Sequence, residues 1–142
     1  MKAVVDTNTL VSGSLWNGPP AGLLHAVRTG QITLVQSPLL WAEFVEVMGR
    51  PKFATRLGLA GLTPTQLADG LRRYVTWTSN ATIPLPPELR DPKDLMVLAA
   101  AVNSHADVIV TGDDDLISMK LFEGIPILTV REALEKLGRP TK

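Results

Sequence analysis

Four short apolar runs are spaced along the chain with helix-sized stretches between them: Val4-Val5, Ile32 to Val35, Asp107 to Thr111 and Ile125 to Leu128. Runs this brief that break off at polar or turn residues read as buried strands, and β-branched side chains favour that state. Strands that alternate with helices predict a three-layer α/β domain with a central, mostly parallel sheet of four to five strands. At 142 residues, 45% hydrophobic and 20% charged, the chain is expected to form one globular domain spanning residues 1–142.

The helices announce themselves by their ends. Gly13, Gly18, Pro19 and Pro20 mark a loop that carries Trp16, and Pro20 opens a helix over 21–29 that Gly30 stops. Ser37-Pro38 is a cap followed by proline at the first helical position, which predicts a helix to about Met48. Thr63-Pro64-Thr65-Gln66 has capping-box spacing and predicts a helix from Pro64 to about Val75. Pro84, Pro86 and Pro87 restrict residues 76–90 to an edge strand or an extended connector. Asp91-Pro92 caps a further helix in which Leu95 to Val102 are apolar throughout, so it should be buried nearly all round. Thr129 to Glu132 is a second capping box, leading a helix to Leu137 before Gly138 and Pro140.

Composition excludes several kinds of chemistry. The 14 basic and 14 acidic residues balance, so a polyanion must be held locally rather than by net charge. There is no cysteine, which removes disulfides, thiolate nucleophiles and Cys-based zinc sites, and a reducing, cytoplasmic setting fits. His25 and His105 lack metal-ligand spacing to other donors. No signal peptide is expected, and no apolar run nears the ~18 to 20 residues needed to cross a bilayer. Trp41 and Trp77 are expected in the core, whereas Trp16 suits either base stacking or an oligomer interface.

The acids carry the functional signal. In a parallel sheet, Asp6 at the end of the first strand, Asp94 at the start of the later helix and Asp113 after the following strand share the carboxyl edge, where α/β proteins bind ligands. Glu43 lies about 9 Å along its helix from Ser37 and leans back toward the same edge. Each acid also has a local explanation as a turn, a cap or a solvated helix face. Four converging carboxylates would repel one another unless a cation intervened, and oxygen-only ligands suit Mg²⁺ or Mn²⁺. Such a site points to metal-assisted phosphodiester hydrolysis, with Asp115 as an auxiliary acid. Arg50, Lys52, Arg56, Arg72 and Arg73 oppose Asp69 alone over residues 50–73, the most positive region of the chain, and are candidate contacts for a polyanion beside the crevice.

Val5-Asp6-Thr7-Asn8, Glu43 in the helix led by Ser37-Pro38, Asp91-Pro92-Lys93-Asp94, and Ala106 through Asp113 together resemble the PIN-domain family. The resemblance is nearest to single-domain toxin components of toxin-antitoxin systems, similar to the VapC toxins. It implies a metal-dependent ribonuclease whose acids match Asp6, Glu43, Asp94 and Asp113, often with an Asp at the place of Asp115. It further implies that Asn8 and Thr111 assist metal or water, that RNA is the substrate, and that an antitoxin protein is a partner. A homodimer is common in the family, with Leu59, Leu62 and Leu67 as its candidate face. Two other readings compete. One is a non-catalytic RNA- or partner-binding module on the same fold. The other is a haloacid-dehalogenase-type phosphatase with Asp6 as nucleophile, which would want a second Asp where this chain has Asn8.

Overall fold

The computed structural model describes residues 1–138, and Pro140 lies outside them. In chain order the strands are β1 (Lys2–Val5), β2 (Thr33–Gln36), β3 (Val75–Trp77), β4 (Val108–Val110), β5 (Leu121–Phe122) and β6 (Ile125–Leu128). They form one six-stranded sheet in the order β3-β2-β1-β4-β6-β5, parallel except for the β5-β6 hairpin at one edge. Four to five strands were expected, and six are present. Beyond the four apolar runs there are two edge strands: β3, at the start of the stretch expected to be an edge strand or connector, and β5, too short to carry a pattern. β3 is set by pairing with β2, and β5 is made by the two-residue turn Glu123-Gly124, where φ is 51° and 79°.

The strands are buried on both faces. Ala3, Val5, Leu34, Val108 and Val110 face one core, while Val4, Val35, Ile109 and Ile127 face another, as the two-residue period of a strand requires. Helices α1 (Thr7–Leu15), α2 (Pro19–Arg28), α4 (Ala54–Leu59), α5 (Pro64–Arg72) and α8 (Val130–Lys136) bury residues in the first core. Helices α6 (Leu95–Ser104) and α7 (Asp114–Ile117) bury residues in the second. Helix α3 (Pro38–Met48) straddles the two, giving Leu40 to one and Phe44, Val47 and Met48 to the other. Among the described residues no helix is long and apolar enough to cross a membrane.

The predicted caps form as hydrogen bonds. Ser37, Thr63 and Thr129 accept from the backbone of Leu40, Gln66 and Glu132, and the last two are full capping boxes. The segment after β1 departs from expectation: Gly13, expected to mark a loop together with Gly18, Pro19 and Pro20, lies inside the helix α1 instead. Its interior Gly13 tolerates no side chain, because a Cβ there would lie 2.6 Å from the Pro20 carbonyl oxygen of α2. The glycine that suggests a loop is in fact where two helix backbones meet. Trp77 also departs from expectation. It ends the edge strand β3 and is 42% exposed, covered on one side by Trp41 at 5.9 Å and crossed by Arg72 at 5.6 Å.

Candidate active site

From β1 the chain builds the sheet outward through β2 to β3, then returns to place β4 on the other side of β1. The connection after β1 enters α1 on one face, and the connection after β4 enters α7 on the other. Beyond the strand ends this leaves a crevice between β1 and β4, the switch point where open α/β sheets bind ligands. A cleft of about 220 Å³ lies here, and Asp6, Glu43, Asp91, Asp94 and Asp113 all line it. The four acids proposed from the sequence therefore share one cavity, joined by Asp91.

Each is held by local structure. Asp6 is the N-cap of α1: Oδ1 accepts from Thr9 N at 3.0 Å, and Oδ2 accepts from the Thr111 hydroxyl. Thr111 is fully buried, and its hydroxyl oxygen also accepts from Asp113 N at 3.0 Å, so it ties the end of β1 to the end of β4. Asp113 caps α7 by accepting from Asp115 N at 2.9 Å. Glu43 is reached from α1 by the Thr7 hydroxyl, which donates to its Oε1. Asp91 accepts from Lys93 N at 3.0 Å and opens the 3₁₀ turn Pro92–Asp94, which delivers Asp94 to the cleft just before α6.

Crowding shows in Asp94. Burial, then the Asp113 carboxylate within hydrogen-bonding reach, then the charges of Asp113, Asp91 and Asp6 push its pKa from 3.8 up to about 7. Its Oδ2 is buried with no hydrogen-bond partner. Among the described residues, five carboxylates face two cations in the cleft, Arg50 and Lys93, and Arg50 is also bound to Glu46 at 3.0 Å.

The remaining predicted residues are divided. Asn8 lines the cleft, and Thr111 serves it from beneath. Asp115 does not line it: its carboxylate faces Arg90 at 3.6 Å, and only its backbone supports Asp113. Of the five basic candidates, Arg50 alone lines the cleft. Arg56 donates to Leu15 O at 2.7 Å and lies over Trp16, Lys52 lies over Phe53, and Arg72 over Trp77. Arg73 is exposed elsewhere. Sequence reasoning missed Thr7, Asp91 and Lys93 as lining residues. Asp91 and Lys93 were within the Asp-Pro-Lys-Asp segment already singled out, so their nearness to Asp94 was a usable signal.

The family profile described as "PIN domain" matches residues 2–115, a span that includes every acid lining the cleft. The chain belongs to the PIN-domain family. PIN domains are commonly nucleases that depend on divalent metal ions. Among curated proteins, none matches the chain. The donor set fits the family's metal requirement in kind: it is made of hard carboxylate oxygens, and the orphaned, buried Asp94 Oδ2 is an acceptor that a cation would satisfy. Among the described residues, no three His, Asp or Glu side chains stand at ligating separation. In this PIN domain Asp6 and Glu43 are instead engaged by threonine hydroxyls.

Proposed function

We propose that this chain is a metal-dependent endoribonuclease that cuts RNA phosphodiester bonds at the cleft of Asp6, Glu43, Asp94 and Asp113. One observation carries the reading: carboxylates from both ends of the sequence line a single crevice at the switch point, where burial and then the neighbouring Asp113, Asp91 and Asp6 push the Asp94 pKa up to about 7. Asp6, Asp94 and Asp113 would hold the ion, with Glu43 completing the set. A bound Mg²⁺ or Mn²⁺ supplies charge neutralisation at the scissile phosphate and a more acidic water. The chain's own groups prepare the site. Thr111 fixes Asp6, Thr7 fixes Glu43, and the Asp115 backbone fixes Asp113. A bound cation would offset the repulsion that raises the Asp94 pKa and hold that carboxylate ionised, and Lys93 and Arg50 at the cleft draw in the phosphate backbone.

In the same reading the protein is the cytoplasmic toxin of a toxin-antitoxin pair, supported by the likeness of Ala106 to Leu116 and of the acid spacing to VapC toxins. A homodimer is supported by the exposed Leu59 and Leu62, while Leu67 packs against the core. The test is incubation of the purified protein with structured and unstructured RNA. Cleavage is expected with Mg²⁺ or Mn²⁺, stopped by EDTA and restored by added metal. RNA left intact with either ion would overturn the proposal.

A further inference from the structure

A second cavity adjoins the acidic cleft, and the two share a wall. Asp91, Lys93 and Asp94 line the cleft, whereas Pro92 and Leu95, from the same turn, line a cavity of about 130 Å³ on the other side. The 3₁₀ turn Pro92–Asp94 therefore has the acidic cleft on one side and this cavity on the other. The second cavity has apolar walls from Leu39, Leu95, Met96 and Ala99, with Ser37 and Asn80 supplying polar groups. Asn80 is held in one orientation: its Oδ1 accepts from Leu39 N at 3.0 Å at the start of α3. The Nδ2 group is therefore the free end, and it donates to none of the described residues. Apolar walls with a fixed amide donor, beside the hydroxyls of Ser37, Ser79 and Thr82, suit an aromatic ring carrying an acceptor. The volume is that of a single ring, since apolar cavities of roughly 150 Å³ admit benzene.

We propose that this cavity is a pyrimidine-base subsite: it receives the base next to the scissile phosphate, and Asn80 Nδ2 donates to a carbonyl oxygen of the ring. The strand's identity as an RNA substrate rests on the nuclease reading above, but the cavity's preference for the base does not. The second ring of a purine would not fit within the cavity and would stay at its open mouth, so purines are expected to bind more weakly. Uracil and cytosine both carry an exocyclic carbonyl that the amide can reach. The base would then fix which phosphate lies against the acids.

The experiment is NMR titration of the isotope-labelled full chain with uridine, cytidine, adenosine and guanosine, without metal, so that cleavage plays no part. Uridine and cytidine are expected to shift the Leu39 amide and the Asn80 side-chain amide saturably, with adenosine and guanosine weaker. Asn80→Asp keeps the acceptor for Leu39 N and removes the donor, so it should weaken uridine by roughly three- to tenfold, the factor for one net neutral hydrogen bond. Ala99→Leu fills the cavity and should abolish the shifts while distant resonances stay in place. Should Ala99→Leu unfold the chain, Asn80→Asp alone decides. Absence of saturable shifts, purines binding as well as pyrimidines, or unchanged uridine affinity in Asn80→Asp would each overturn the subsite. Pyrimidine binding in a protein that cuts no RNA would sustain the subsite and overturn the nuclease.

Discussion

The carboxyl edge of the sheet presents two very different surfaces. At β1 and β4, five carboxylates crowd a polar cleft against two cations, and Asp94 is held far from its ordinary pKa. Two strands away, at β3, Trp77, Trp41 and Arg72 meet around an open groove in arrangements that satisfy one another: edge-to-face rings and a guanidinium over an indole. One region gathers like charges and the other complementary groups. A fold keeps the first arrangement against its own stability only where something else is gained, which is why unresolved electrostatic conflict is the better guide to function.

The largest contrast is expected from Asp6→Asn. Asparagine caps a helix about as well as aspartate, so α1 and the melting temperature should persist. RNA cleavage should fall by at least about a hundredfold, through loss of metal-site charge. A Trp77→Ala variant that lost as much cleavage would erase the distinction between the two regions.

Next comes Thr111→Val, which keeps the shape but strands the Asp113 amide and frees the Asp6 carboxylate. Chemical denaturation should show a loss of about 1–3 kcal/mol, the cost of an unpaired buried group, with Thr111→Ser retaining most of the wild-type stability.

Asp94→Asn should act in the opposite direction. Folding raises the Asp94 pKa from 3.8 to about 7, so the folded state binds this proton more tightly. The associated stability is complete below pH 3.8 and is lost as pH rises through 7. Removing the charge should therefore raise the melting temperature at pH 8 by a few degrees, as for about 1 kcal/mol after solvent screening, and leave it nearly unchanged at pH 3.5. Calorimetry at the two pH values checks the sign. Trp77→Ala should have the smallest effect, costing about 0.5–1.5 kcal/mol of pair energy in denaturant unfolding and leaving cleavage within about twofold.

How far the sequence could be read depended on whether a signal was local. Ser37, Thr63 and Thr129 cap helices by bonds that close within three residues, and all three were legible. The convergence of Asp6, Glu43, Asp94 and Asp113 was legible too, because parallel topology alone sends strand ends and helix starts to one edge. Gly13 misled because its reason is the Pro20 carbonyl in another helix. Trp77 misled because a large aromatic ring reads as core, although the prolines after it already mark residues 76–90 as an edge strand or connector, and at the edge the ring is covered on one side only. The basic cluster at 50–73 reads as one patch in sequence. In space Lys52, Arg56 and Arg72 turn to separate aromatic rings, while Lys93, isolated between two acids, lines the cleft.

The hydrogen bond from Thr111 to Asp6 joins residues 105 positions apart, and the exposed proline-rich connector lies between them. Asp6 and Glu43 come from before that connector, Asp94 and Asp113 from after it. A protease cut within it would leave two fragments, each with half of the acidic set. Under the nuclease function proposed above, cleavage would then become bimolecular, returning only as fast as the fragments found each other, so that the chain could be divided into a conditional, two-component enzyme.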